Sequence, residues 1–167
     1  MADSLRPEPA WARAGGHTDL AAALAAEAAG DPVDCRLIAE RIARYGWAYD
    51  ERDPDALGGC FTVDGVWKGE IMGSRQVGPF EGRAAIVEFL SGFWKDQADQ
   101  RRHVFTNVVV DSIAGDRAGA HAYLILLASA DERTTVETAG PYRFEAARGE
   151  DGIWRLTLLA AGFDVPF

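Results

Sequence analysis

Cysteine is scarce in this chain: Cys35 and Cys60 stand alone among 167 residues. They are too few and too widely spaced for a zinc cluster or a CxxC redox motif, and a domain of this length folds without a disulfide. Both read as reduced, buried thiols. Positive charge is also short, with 17 Lys+Arg against 26 Asp+Glu and a formal net charge of −9. No Lys/Arg-rich run forms a basic stripe, which argues against a nucleic-acid partner and against an anionic membrane surface. No apolar run approaches the roughly 18 residues that a membrane helix needs, and the opening MADSLRPEPAWARAGG lacks the apolar centre of a signal peptide. The expected location is the cytoplasm. The three histidines, His17, His103 and His121, are scattered with no two at ligand spacing, so no metal and no other cofactor is expected.

What is present suffices for one soluble domain, since 48% of the residues are hydrophobic. Residues 1–16 carry Pro7, Pro9, Gly15 and Gly16 among charged and small residues and read as a mobile arm outside the fold. The Ala-rich stretch DLAAALAAEAA follows, with Thr18 as a candidate N-cap and Gly30 as its stop, and predicts a short helix with only Leu20 and Leu24 as an apolar stripe. Residues 1–30 are therefore read as an N-terminal extension and 31–167 as the domain. A stronger helix begins after Pro32, with Asp34 as its expected N-cap, and runs to about Asp50. Ile38, Ile42, Tyr45 and Tyr49 recur at helical spacing and form its core-facing stripe. Asp50 sits on the flank of the last turn, where the helix dipole disfavours a carboxylate unless a cation or donor compensates. The alternative is a solvated aspartate in the charged turn Asp50-Glu51-Arg52-Asp53.

Asp53-Pro54-Asp55 caps a second short helix. A strand over Val63 to Gly69, with a turn or bulge at Asp64-Gly65, and a return strand over Gly73 to Phe80 make a hairpin. An amphipathic helix over 82–96 buries Ile86, Leu90, Phe93 and Trp94. The rest is β-rich, with strands over 101–111, 118–130, 134–147 and 153–163 separated by turn clusters. This order predicts an α+β fold, with helices on one face of a curved sheet and a pocket between them.

The most informative strand is RRHVFTNVVVD, residues 101–111. Strict alternation places His103, Phe105, Asn107 and Val109 on one face, and Arg102, Val104, Thr106, Val108 and Val110 on the other. A histidine and an amide interleaved with an aromatic fit a pocket wall carrying a few convergent polar groups. A half-exposed strand whose His103 and Asn107 meet water is the plainer alternative.

Three segments in this order, WAYDERDPDALGGCFTVDGVW, RRHVFTN and AGPYRFEAARGEDGIWRL, together resemble the nuclear transport factor 2-like (SnoaL-like) superfamily, and within it the scytalone dehydratase-like branch. The resemblance covers roughly residues 34–163. It implies a cystatin-like α+β fold, a cone-shaped antiparallel or mixed sheet with helices on its concave face. It implies that Asp50 and His103 form an Asp-His dyad with Tyr49 beside it. His103 would act as base on a carbon next to a carbonyl, while Asp50 would hold its tautomer. Tyr45, Trp67, Phe105, Asn107, Thr138 and Phe163 are the corresponding substrate-binding candidates. The chain departs from the branch where Trp67 replaces a second tyrosine, where no histidine occurs over Leu124 to Ala130, and where Gly140 replaces an asparagine. These departures argue against scytalone as the substrate.

The expected activity is a cofactor-independent lyase of the dehydratase type acting on a hydrophobic cyclic or polyketide-like molecule. A SnoaL-like polyketide cyclase or isomerase would use the same dyad. A non-catalytic scaffold or ligand-binding subunit of the same fold would have no reason to bury an aspartate against a histidine. Folds of this type pair or trimerise through the outer sheet face, so a homodimer or homotrimer through Val104, Val108 and Val110 is expected. His17 and His121 have no matching partner in this reading; His121 is expected to be a satisfied or exposed strand residue.

Overall fold

In the computed structural model, residues 6–25 and 30–166 are described. Helix α3, Pro32–Asp50, organises the rest. Its start lies before the expected Asp34, because Pro32 fixes the backbone at the first helical position and Asp31 supplies the cap, its carboxylate accepting from the Val33 N–H at 2.7 Å. Asp34 instead accepts a hydrogen bond from Trp154 Nε1 at 3.0 Å, which ties the first turn to the sheet. The predicted stripe holds: Ile38 and Ile42 are fully buried, and Tyr45 and Tyr49 nearly so. Each of these aliphatic side chains contributes about 2 kcal/mol by leaving water.

Two short helices, α1 (Trp11–Gly15) and α2 (Leu20–Ala25), precede it, and α4 (Pro54–Gly59) follows, capped by Asp53 on the Ala56 N–H at 2.8 Å. Strands β1 (Phe61–Ile71) and β2 (Arg75–Glu81) form the expected hairpin. Helix α5 (Arg83–Gly92) continues into a 3-10 turn at Phe93–Lys95. Four long strands complete the chain: β3 (Gln100–Ala114), β4 (Arg117–Ala130), β5 (Arg133–Arg148) and β6 (Trp154–Phe163). Among the described residues they form one six-stranded sheet in the order β2-β1-β6-β5-β4-β3. The β1–β6 pair is parallel and the other pairs are antiparallel. This open mixed sheet with α3, α4 and α5 against one face is the nuclear transport factor 2-like, cystatin-like α+β architecture.

Between sheet and helices lies the core. Aromatic rings of Tyr45, Phe105, Tyr142 and Phe144 meet edge-on or tilted at centroid separations of 5.5–6.1 Å. Gly46 lets α3 settle onto β3, since a Cβ there would come within 3.1 Å of the His103 Cβ. Of the two cysteines Cys60 is buried, whereas Cys35 is half-buried.

Alternation along β3 fails at one place. Register shifts between Thr106 and Val109, and Asn107 takes a left-handed φ of 52°. A bulge adds a residue to one strand and swaps the faces beyond it. Asn107, Val108 and Val109 are therefore exposed, while Val110 packs against the core. The expectation that Asn107 and Val109 continue the His103 face is corrected, as is the place of Val110 on the outer face.

The N-terminal segment is not outside the fold in its described part. Trp11, Ala12 and Thr18 are buried, and Trp11 Nε1 donates to Asp164 at 2.7 Å. A large indole had more apolar area to bury than the surrounding prolines and glycines suggested. Positions 1–5 and the Ala-rich positions 26–29 lie outside the described residues.

A close backbone approach between β5 and β6 makes a stability prediction. A Cβ at Gly140 would collide with the Gly162 carbonyl oxygen, with φ at +157°. Because the obstacle is backbone, Gly140→Ala has to part the strands and is expected to cost about 3 kcal/mol or more. Urea unfolding of the two proteins measures this; equal midpoints would show that the strands separate freely.

Candidate functional site

A cavity of about 210 Å³ opens between α3, α5 and the sheet. His103 forms part of its wall. Its Nδ1 lies 2.6 Å from Asp50 Oδ1, and its backbone N–H donates to Asp50 Oδ2 at 2.8 Å. Both side chains are nearly out of solvent, 7% and 6% exposed. The last turn of α3 thus aims its aspartate at β3, and the two N–H groups of His103 supply the donors that a carboxylate at a helix C-terminus needs. Gln100 caps the same end by donating to the Asp50 carbonyl at 2.9 Å. With Asp50 ionised, the proton of the neutral imidazole resides on Nδ1, an assignment read from the hydrogen-bond network. Nε2 keeps its lone pair and has no protein partner among the described residues.

Around this pair stand phenols and indoles. The Tyr49 ring meets His103 edge-on at 4.8 Å, and its hydroxyl accepts from Gln97 Nε2 at 3.2 Å, which leaves its own hydrogen free. Tyr45 approaches His103 at 6.2 Å. Burial pushes the Tyr45 and Tyr142 phenols well above their ordinary values and raises Tyr49 as well, so all three remain neutral O–H groups at neutral pH. The buried Trp67 indole N–H faces the Tyr45 phenol without a close hydrogen bond to any of the described residues. Ile71, Leu126, Phe89 and Phe163 supply apolar wall, and Phe93 and Pro166 stand at the rim. Arg52 holds the rim segment in place by donating to the carbonyls of Trp94, Gln97 and Asp99.

Of the predicted site residues, Asp50, His103, Tyr49, Tyr45, Trp67 and Phe163 are brought together. Phe105 packs behind His103 within the core rather than on the cavity. Asn107 is exposed at the bulge. Thr138 is buried but donates to the Ala139 and Val165 carbonyls, away from the cavity. Residues missed in the sequence include Arg101, Gln97 and Tyr142, all on the cavity. Arg101 lies two positions before His103 on the same face, so alternation alone could have found it. His121 does have a partner: its Nδ1 lies 2.5 Å from Asp111 on the opposite face of the sheet.

A larger groove of about 680 Å³ runs along α3 and α4, lined by Glu40, Arg41, Arg44 and Trp47. It is shallow and open, and neither His103 nor a buried phenol reaches it. Among the described residues, no group of three or more His, Cys, Asp and Glu side chains is placed to hold a metal ion. No helix among them is long and apolar enough to cross a membrane.

With the fold and the geometry of this cavity established, comparison with known proteins gives the family. The profile of the SnoaL-like domain matches residues 34–160, and the chain belongs to that family. No curated protein matches it. Among solved structures, a Catenulispora acidiphila protein in complex with S-DNPA is 28% identical, with a TM-score of 0.70 over 80% of this chain and 96% of that one. A candidate aromatic ring hydroxylase from Novosphingobium aromaticivorans is 30% identical, with a TM-score of 0.64 over 82% and 94%. An NTF2-like protein with a cystatin-like fold from the same organism is 26% identical, with a TM-score of 0.66 over 87% and 88%.

Proposed function

We propose that this protein is a cofactor-independent lyase of the dehydratase type, acting on a hydrophobic cyclic or polyketide-like substrate. The observation that carries the reading is the buried Asp50–His103 pair with Nε2 left to the cavity. His103 Nε2 takes the proton from a carbon next to a carbonyl; the C–H electrons move into the enolate, whose oxygen accepts from Trp67 N–H and the Tyr45 O–H. Asp50 stabilises the imidazolium that forms. Expulsion of a β-hydroxyl with that proton releases water and restores the neutral ring. The same enolate could instead close on a second carbonyl or be reprotonated elsewhere, so a cyclase or isomerase shares the first step and differs in product.

The test uses 2-tetralone, a bicyclic enolisable ketone, in deuterated buffer. Proton NMR should show loss of the α-protons accelerated by the protein over buffer alone. A rate equal to that of buffer would favour the non-catalytic scaffold reading.

The outer sheet face supports self-association as a homodimer or homotrimer. Val104, Tyr123, Ile125 and Val136 are exposed there, and Val104 pairs directly with Ile125 across β3 and β4. Val104→Glu combined with Tyr123→Glu is expected to shift the protein to a monomer in sedimentation velocity. An unchanged sedimentation coefficient would move the interface elsewhere.

A further inference from the structure

The cavity has a charge pattern opposite to that of the chain. Against a net charge of −9, no Asp or Glu among the described residues lines it, whereas Arg75 and Arg101 do. Arg101 is largely buried and donates from Nε to Asp99 at 2.9 Å. Its Nη1 is fully buried and has no acceptor among the described residues. A guanidinium N–H has no acceptor capacity, so an occupant must bring the lone pair. A buried donor left unsatisfied is costly, and a charged donor strengthens the demand for a negative partner. Arg75 is exposed at the entrance, so Arg101 is the discriminating group and Arg75 a flanking charge. At the other end, Trp67 and Tyr45 are buried and present N–H and O–H groups. The remaining wall is aromatic and aliphatic.

We infer that the substrate carries a carboxylate, held at the mouth of the cavity by Arg101 with Arg75 flanking it, in addition to the carbonyl at the buried end. The inference rests on the proton-abstraction reading for taking this cavity as the substrate site. A guanidinium edge matches a carboxylate in shape as well as charge, and a neutral amide of equal shape lacks the charge.

The test compares 2-naphthoate with 2-naphthamide by isothermal titration calorimetry. Wild type is expected to bind the carboxylate about tenfold more tightly, the gain of a charge-assisted over a neutral hydrogen bond. Arg101→Met should erase most of that ratio by weakening 2-naphthoate alone, and Arg101→Lys should keep part of it. Should Arg101→Met not fold, Arg101→Gln carries the same expectation. His103→Gln should retain the ratio, because the anion sits on Arg101 and not on the imidazole. Equal affinities in wild type, binding of neither compound, or a ratio that survives Arg101→Met overturns the inference. So does a ratio that vanishes in His103→Gln. A carboxylate preference without 2-tetralone deuteration would remove the proton-abstraction reading alone; deuteration without the preference would remove only this inference.

Discussion

Exchanging His103 for glutamine is expected to slow protein-dependent deuteration of 2-tetralone by about 10²–10⁴-fold, the range that a positioned general base contributes. Glutamine keeps much of the volume but offers no basic nitrogen. The companion change, Asp50→Asn, should fall nearly as far although the side chain at this position touches no substrate. The Asp50 carboxylate accepts twice, from the backbone N–H and from Nδ1 of His103. An amide has one acceptor oxygen and one donor nitrogen. If its oxygen serves the backbone, its NH₂ faces Nδ1 and forces the proton to Nε2, where the base should be. If its oxygen serves Nδ1, the NH₂ confronts a backbone donor at the same short separation. Either outcome disables or displaces the imidazole, so Asp50 acts as a positioning residue for His103. Circular dichroism confirms that each variant is folded, and NMR exchange rates give the effect. Should His103→Gln deuterate the ketone within tenfold of wild type, the imidazole is not the base and the lyase assignment fails with it.

The helical half of this site was legible in the sequence because it depends on one period. Ile38, Ile42, Tyr45 and Tyr49 lie on one face at any small error in the helix start, so moving the cap from Asp34 to Asp31 changed nothing downstream. The strand half was legible only up to its irregularity. His103 sits before the bulge and Asn107 within it, and a two-residue alternation carries no sign of an inserted residue. Arg101 was passed over for another reason: in sequence it belongs to a charged run, and only the fold shows that its partner Asp99 leaves Nη1 unsatisfied. The Trp11 anchor needed a partner 153 positions away, Asp164, which no local pattern predicts. The family resemblance joined Asp50 to His103, a contact spanning 53 positions that composition and periodicity leave open.

The second large effect belongs to the other histidine. His121 is buried, with Nδ1 2.5 Å from Asp111 and Nε2 2.6 Å from the Thr18 carbonyl. The Thr18 carbonyl calls for an N–H on Nε2, and Nδ1 shares the other hydrogen bond with the Asp111 carboxyl. His121→Leu leaves the buried Asp111 carboxyl without its partner, with an expected loss of about 3–5 kcal/mol in urea unfolding. Asp111→Leu combined with His121→Leu removes both partners and should recover much of that stability, since a buried pair replaced by apolar side chains is often close to neutral. It should not recover the strap. Thr18 loses the donor to its carbonyl, leaving the segment around α1 and α2 held by Trp11 on Asp164, by His17 on the Ala161 carbonyl at 3.2 Å and by Arg143 on Asp19 at 2.8 Å. Trypsin cleavage after the exposed Arg13, followed by mass spectrometry, should therefore be faster in the double variant than in wild type at equal global stability. A His121→Leu protein within about 1 kcal/mol of wild type, or a strap cut no faster in the double variant, would show that the pair does not clamp it. The strap also bears on the cavity, because Asp164, which anchors Trp11, directly follows Phe163 and lies two residues before Pro166, both on the cavity wall. The outer clamp and the inner wall therefore share one segment of backbone, and the double variant should loosen the rim that Pro166 forms before it disturbs His103, which α3 and β3 hold independently.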